Sequence, residues 1–294
     1  MIYLIISIFC SVTVAALLKL ARRYKINILQ AITWNYLFAI ALSFFFFKPG
    51  ISELTAAKIS PIYLGLGVLL PLVFWFLGAS IRSIGIAKTD IAQRLSLFIS
   101  ILAAYFLFGD QFNTLKILGL CFGFTAIIFT LYRKPGNLAK SNSPSSGGNW
   151  IYPLLVFFGF GFIDILFKQI AQIKDLPYTS SLILTFAISF ILSLLAILYL
   201  ALIKKQKLEL VNLACGAVLG LFNFGNILFY LKAHRAMAEN PSTVFAAMNI
   251  GVIILGSFVG ILLFKEKLNK LNYIGLALAL IAIIFITLSQ FHAI

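Results

Sequence analysis

Phe108-Gly109-Asp110-Gln111-Phe112-Asn113 is a short polar turn between two long apolar runs, and its arrangement returns 156 residues later as Phe264-Lys265-Glu266-Lys267-Leu268-Asn269. The same register places Gly119 over Gly275 and Gly123 over Ala279, and it places Ser100 and Ala104 over Gly256 and Gly260. Each run thus carries small residues four apart, the spacing that lets helix backbones approach closely in lipid. Small residues are common in such runs, so a single match means little. The whole set at one shift points to internal duplication.

Working outward from these turns, the chain divides into apolar blocks long enough to cross hydrocarbon, about 20 residues each. The expected spans are 2–18, 28–47, 62–81, 90–108, 115–132, 151–173, 178–203, 210–231, 242–264 and 271–290. Turn chemistry separates them at Lys48-Pro49-Gly50, Asp175-Leu176-Pro177 and Asn240-Pro241, and Pro71 inside the third span is expected to kink it. Composition agrees. Of the 294 residues, 62% are hydrophobic and 11% charged, where a water-soluble domain carries roughly a quarter charged. The first block lacks the basic start of a secretory leader, since its positive charges follow it, and it reads as a retained span. The expected fold is an all-α integral membrane protein of about ten transmembrane helices.

Residues 133–149, RKPGNLAKSNSPSSGGN, differ in kind: polar, rich in Ser, Gly, Asn and Pro, and without periodicity. That is the composition of a flexible linker. It divides a first five-helix repeat, 1–132, from a second, 150–294. An odd number of spans per half forces the second half to enter the membrane upside down, giving two inverted five-helix repeats. Inverted repeats are the build of secondary transporters, whose substrate sites lie near the midplane.

The formal net charge of +15 does not indicate a nucleic-acid partner. The basic residues sit in short clusters between apolar blocks, with no aromatic-interleaved basic face. Sixteen of the 23 Lys and Arg follow odd-numbered spans and seven follow even-numbered ones. Positive loops stay cytoplasmic, so the first set and the linker are expected inside and both termini outside. Enzyme signatures are absent: two histidines, His234 and His292, and no HExxH, GxSxG or phosphate-loop pattern in a supporting context. Cys10, Cys121 and Cys215 lie far apart inside apolar blocks and read as buried hydrophobes. No cofactor and no metal are expected, and a monomer should suffice.

Polar groups inside spans are the informative residues, because each must be paired or face a cavity. Asp164 and Lys168 lie four apart on one face of the sixth span, able to neutralise each other. They form either a substrate or proton site or a structural ion pair near a helix end. Lys19 holds the matching place in the first half, or is an interfacial anchor. Asn35 and Tyr36 on the second span could read carboxylate, amine or hydroxyl groups, or serve as interhelical glue. Asn223, Asn226 and Tyr230, at i, i+3 and i+7, share a face of the eighth span. Trp75 extends this polar-aromatic set, and Gln93 and Asn249, matched in the repeat, are expected to point inward from the fourth and ninth spans.

The ten spans in two halves, with each half ending in a small-residue helix, the Phe-Gly-Asp-Gln-Phe or Phe-Lys-Glu-Lys-Leu turn and a Gly-rich helix, resemble the EamA branch of the drug/metabolite transporter superfamily. The resemblance maps the family's acidic residue between the fourth and fifth helices onto Asp110 and Glu266, and its lysine ending the first helix onto Lys19. Asp110 departs from the usual Glu, and many relatives keep both termini cytoplasmic. The resemblance implies a multi-pass protein of the bacterial inner membrane that carries out secondary transport, often efflux, of a small-molecule substrate such as an amino acid, with membrane lipid around it and proton coupling as one drive. A lipid-handling flippase of the same superfamily and a non-transporting membrane scaffold are the other readings.

Overall fold

The computed structural model describes residues 1–24, 26–49, 60–84, 86–131, 150–173, 177–265 and 269–291. The linker 133–149, Asp175 and Glu266 lie outside them. Every regular element among the described residues is an α-helix. In chain order they are α1 (Ile2–Arg23), α2 (Ile28–Phe47), α3 (Pro61–Ile84), α4 (Ile86–Leu95), α5 (Leu97–Phe106), α6 (Thr114–Leu131), α7 (Ile151–Gln172), α8 (Tyr178–Ile203), α9 (Leu210–Ala236), α10 (Pro241–Phe264) and α11 (Lys270–Phe291). Eight of them are long and apolar enough to cross a membrane, and Ile91–Phe106 and Thr114–Thr130 are shorter apolar stretches.

The spans expected from hydropathy are therefore present, with three adjustments. α1 and α9 run about a turn further, to Arg23 and Ala236. α3 continues as a helix through Pro71. The fourth span is two pieces: Ser96 breaks it, with its Oγ donating to the Gln93 carbonyl at 2.5 Å.

The chain folds as two compact units, Met1–Leu72 with Leu166–Ala236, and Val73–Ile165 with Met237–Ile294. Each unit draws on both sequence repeats. The first holds α1, α2, α8 and α9, and the second holds α4, α5, α6, α10 and α11, while α3 and α7 pass from one to the other in mid-helix.

Close glycine contacts reveal the symmetry inside each unit. In the second, an added Cβ on Gly119 would meet Ile286 at 2.7 Å and the Ala282 carbonyl at 3.2 Å. One on Gly275 would meet Thr130 at 2.6 Å and the Ala126 carbonyl at 3.0 Å. These three pairs of counterparts are all 156 residues apart. Each glycine meets the equivalent of what the other meets, the mark of an isologous, two-fold contact. Residue numbers rise along α6 as they fall along α11, so the helices are antiparallel and the two-fold crosses them. That is the relation inverted repeats require. The first unit repeats the device. Gly220 closes on the Asn35 carbonyl and Phe38, and Gly67 on the Thr185 carbonyl and Ile188. Asn35 and Thr185, like Phe38 and Ile188, stand 150 apart. Tyr36 and Phe186 share that register and meet ring to ring at 6.5 Å.

Candidate functional site

The candidate residues of the first unit are held on α2, α7 and α9. Lys168 of α7 is 0% exposed. An ammonium at that depth of a spanning segment is costly and marks a functional position or a partnered one. His234, at the last turn of α9, is also fully buried and lies within Coulombic reach of Lys168. Its ring stands edge-on to Tyr230 at 4.6 Å, and Tyr230 stands edge-on to Phe167, the neighbour of Lys168, at 6.0 Å. One spacing of four along α9 thus aligns a phenol and an imidazole against α7. Among the described residues of this unit the only carboxylate is Glu209, which is exposed.

Asn35 and Tyr36 form a second buried pair. Asn35 is 3% exposed and Tyr36 0%, yet the Asn35 Oδ1 and the Tyr36 hydroxyl have no hydrogen-bond partner among the described residues. Buried polar atoms are nearly always paired, and each exception asks for a reason. Their backbone is pinned, since α9 packs on α2 through Gly216 and Gly220 against Trp34, Asn35 and Phe38. On the neighbouring faces of α9, Asn223 is buried, and Asn226 accepts from the Ser7 hydroxyl through both its side chain and its carbonyl, at 2.8 and 2.9 Å. The stripe expected on this helix is therefore divided: Asn226 turns to α1 and Tyr230 to α7.

The remaining candidates belong to the second unit. Asp164 is half-buried and its Oδ2 accepts from Ser100 of α5 at 2.8 Å. The boundary between the units crosses α7 at Ile165, between Asp164 and Lys168. Asn249 is half-buried, with its amide turned back to the Phe245 carbonyl of its own helix at 3.1 Å. Gln93 is half-buried beside the break at Ser96. Trp75 is half-exposed and stacks with Phe76 and Tyr152.

Two features escaped sequence reasoning. His234 stands in the sequence as one of two histidines, with no motif around it. Lys116 was counted with the loop cations, yet it is buried and donates to Asp110 Oδ1 at 2.7 Å, to the Gln111 carbonyl at 2.9 Å and to Asn240 Oδ1 at 3.1 Å. The other oxygen of Asp110 accepts the Ser242 backbone N–H at 2.8 Å and so caps the start of α10. A carboxylate there satisfies one of the free N–H groups of a helix end and complements its dipole.

Comparison with known proteins completes the picture. A protein of Haemophilus influenzae described as uncharacterized is 42% identical over 286 residues, covering 95% of each chain. A protein of solved crystal structure superposes with a TM-score of 0.75 at 13% identity, over 98% of this chain and 96% of its own, a likeness of fold. The sequence profile of the EamA-like transporter family matches residues 1–132 and again 148–288. The chain is a multi-pass integral membrane protein and belongs to the EamA-like transporter family.

Proposed function

We propose that the protein is a secondary transporter of the bacterial inner membrane that exports a small, amino-acid-like metabolite by alternating access of its two inverted repeats. One observation carries this reading: Lys168, His234 and Tyr230 gather as a buried polar cluster on α7 and α9. A carboxylate on the solute would bind to Lys168, and the orphaned Asn35 and Tyr36 oxygens would receive its donor groups. The antiparallel two-fold supports alternating access, since equivalent halves of opposite orientation can exchange roles. Membership of a transporter family, and a relative in Haemophilus influenzae, support the class and the location.

Metabolite profiling of cells with and without the gene would name the solute. Counterflow in proteoliposomes would then be compared for the parent and Lys168→Met, which keeps length and removes the charge. The expected loss is about tenfold or more, the cost of removing one charged hydrogen bond of about 1.5–3 kcal/mol. Parent-like transport by a folded Lys168→Met protein would overturn the assignment of Lys168 to the solute.

A further inference from the structure

Where α1 ends and α9 begins, the first unit carries a cleft of about 470 Å³, within the roughly 300–1,000 Å³ of small-ligand sites. Its walls are apolar: Leu17, Leu20 and Ala21 of α1 face Val211 and Cys215 of α9. At the rim stand Tyr24, 71% exposed, and the exposed Glu209. A tyrosine at the edge of an apolar cleft is the usual mark of the headgroup level of a bilayer.

The segment that leads into α9 beside that rim is fixed by a buried amide network. Gln30 Nε2 donates to the Lys207 carbonyl at 2.8 Å, and Asn212 Nδ2 donates to Gln30 Oε1 at 2.7 Å. Asn212 Oδ1 in turn accepts the Asn27 backbone N–H at 3.0 Å. Gln30 and Asn212 are each 1% exposed, so segment 204–209 is tied to the start of α2 beside the cleft. Lys204, Lys205 and Lys207 on that segment are all exposed, against the single carboxylate of Glu209. Hydrocarbon-lined walls beside a cluster of lysines at a helix end match one occupant in particular. Basic clusters at the membrane surface attract anionic headgroups, and apolar walls select for an acyl chain over a free anion.

We propose that this cleft is a site for an anionic glycerophospholipid of the bilayer. One acyl chain lies between α1 and α9 along Leu17, Leu20, Ala21 and Val211, and the phosphate faces Lys207 with Lys204 and Lys205 beside it. The site is independent of what the protein carries, since none of these residues belongs to the buried cluster of Lys168.

Native mass spectrometry of the delipidated full-length protein tests it, with phosphatidylglycerol and phosphatidylcholine of matched chains as probes. Phosphatidylglycerol should form the retained adduct with at least about fivefold preference, the factor expected from roughly one favourable lysine contact. Lys204→Gln/Lys205→Gln/Lys207→Gln, all at exposed positions, should erase the preference without lowering thermal stability in detergent. Ala21→Trp should fill the cleft and remove both adducts. As a second readout, phosphatidylglycerol should slow maleimide labelling of Cys215 in a Cys10→Ser/Cys121→Ser background, while glycerol phosphate should not. Equal adducts of the two lipids, an unchanged preference in the triple variant, or equal protection by glycerol phosphate would each overturn the proposal. So would a dimer whose formation alone protects Cys215, because the occupant would then be a second copy.

Discussion

Asp164 and Lys168 are one helical turn apart on α7, but they belong to different compact units. A carboxylate in an apolar span is sensitive to hydration and to nearby cations, so a movement of the units that changes either would change its proton affinity. We expect Asp164→Asn, which keeps the shape and removes the titration, to lose accumulation driven by a pH gradient in proteoliposomes while keeping solute exchange. Uphill transport equal to the parent would leave Asp164 a structural role alone, as a partner of Lys168 and acceptor of the Ser100 hydroxyl. Lys116 gives the contrasting case of a buried charge with a structural task. Its ion pair with Asp110 is almost completely desolvated, with 3% and 0% of the two side chains exposed. Removing one partner of such a pair typically costs about 3–5 kcal/mol, whereas replacing both with apolar groups can be neutral. Thermal unfolding in detergent should show Lys116→Met strongly destabilised and Lys116→Met/Asp110→Leu partly restored, less the lost cap on Ser242. The parts played by Lys116 and His234 could not be read from the sequence. Lys116 looks like any interfacial lysine until Asn240, 124 positions away, is brought beside it. His234 gains meaning only from Tyr230 and Lys168.

Helix pairs in this protein close on particular glycines, and the sequence marks only some of them. Hydropathy located the spans because lipid imposes length and apolarity on each one separately. It missed the break at Ser96, where a single hydroxyl turned back on its own helix divides the fourth span. The small-residue spacing singled out Gly119, Gly123, Gly256, Gly260 and Gly275. An added Cβ would indeed collide at Gly119, Gly123 and Gly275, but it would meet nothing within 4 Å at Gly256. Spacing alone does not say which face of a helix is covered. Gly220, which no repeat match had marked, is also closely packed: its Cβ would come within 2.8 Å of both the Asn35 carbonyl and Phe38. The carbonyl belongs to backbone and cannot move aside as a side-chain end would. Gly220→Val should therefore cost about 1–3 kcal/mol by overpacking and shift α2, with Asn35 and Tyr36 on it. Gly256→Ala should be neutral or gain up to about 1 kcal/mol from better helix propensity. Detergent melting curves of the two variants compare these directly, and equal melting would mean that α2 and α9 do not depend on close approach at Gly220.

At the scale of the whole molecule, the antiparallel exchange of Gly119 and Gly275 contacts accounts for how ten spans arise from five. It also ties membrane orientation to charge, because a duplicated half inserts in either sense and only its flanking Lys and Arg decide which. The structure sharpens that count. Two of the seven basic residues assigned to the even-numbered breaks, Lys116 and Lys168, are buried within the protein and cannot act as surface anchors. Lys204, Lys205 and Lys207, on the opposite side of the count, are exposed at the end of α8. Among the described residues, the even-numbered set thus loses two surface anchors. The 133–149 segment follows the fifth span and should face the cytoplasm, with both termini outside. A single cysteine at Ser145, in a protein with Cys10, Cys121 and Cys215 replaced by Ser, should stay unlabelled by a membrane-impermeant maleimide in intact cells and react promptly after lysis. A cysteine placed after Met1 should behave in the opposite way, reacting before lysis. If Ser145→Cys reacts first and the N-terminal cysteine is protected, the orientation is reversed. The cleft beside Lys207 would then face the outer leaflet, while the two-fold and the packing of each unit would stand unchanged.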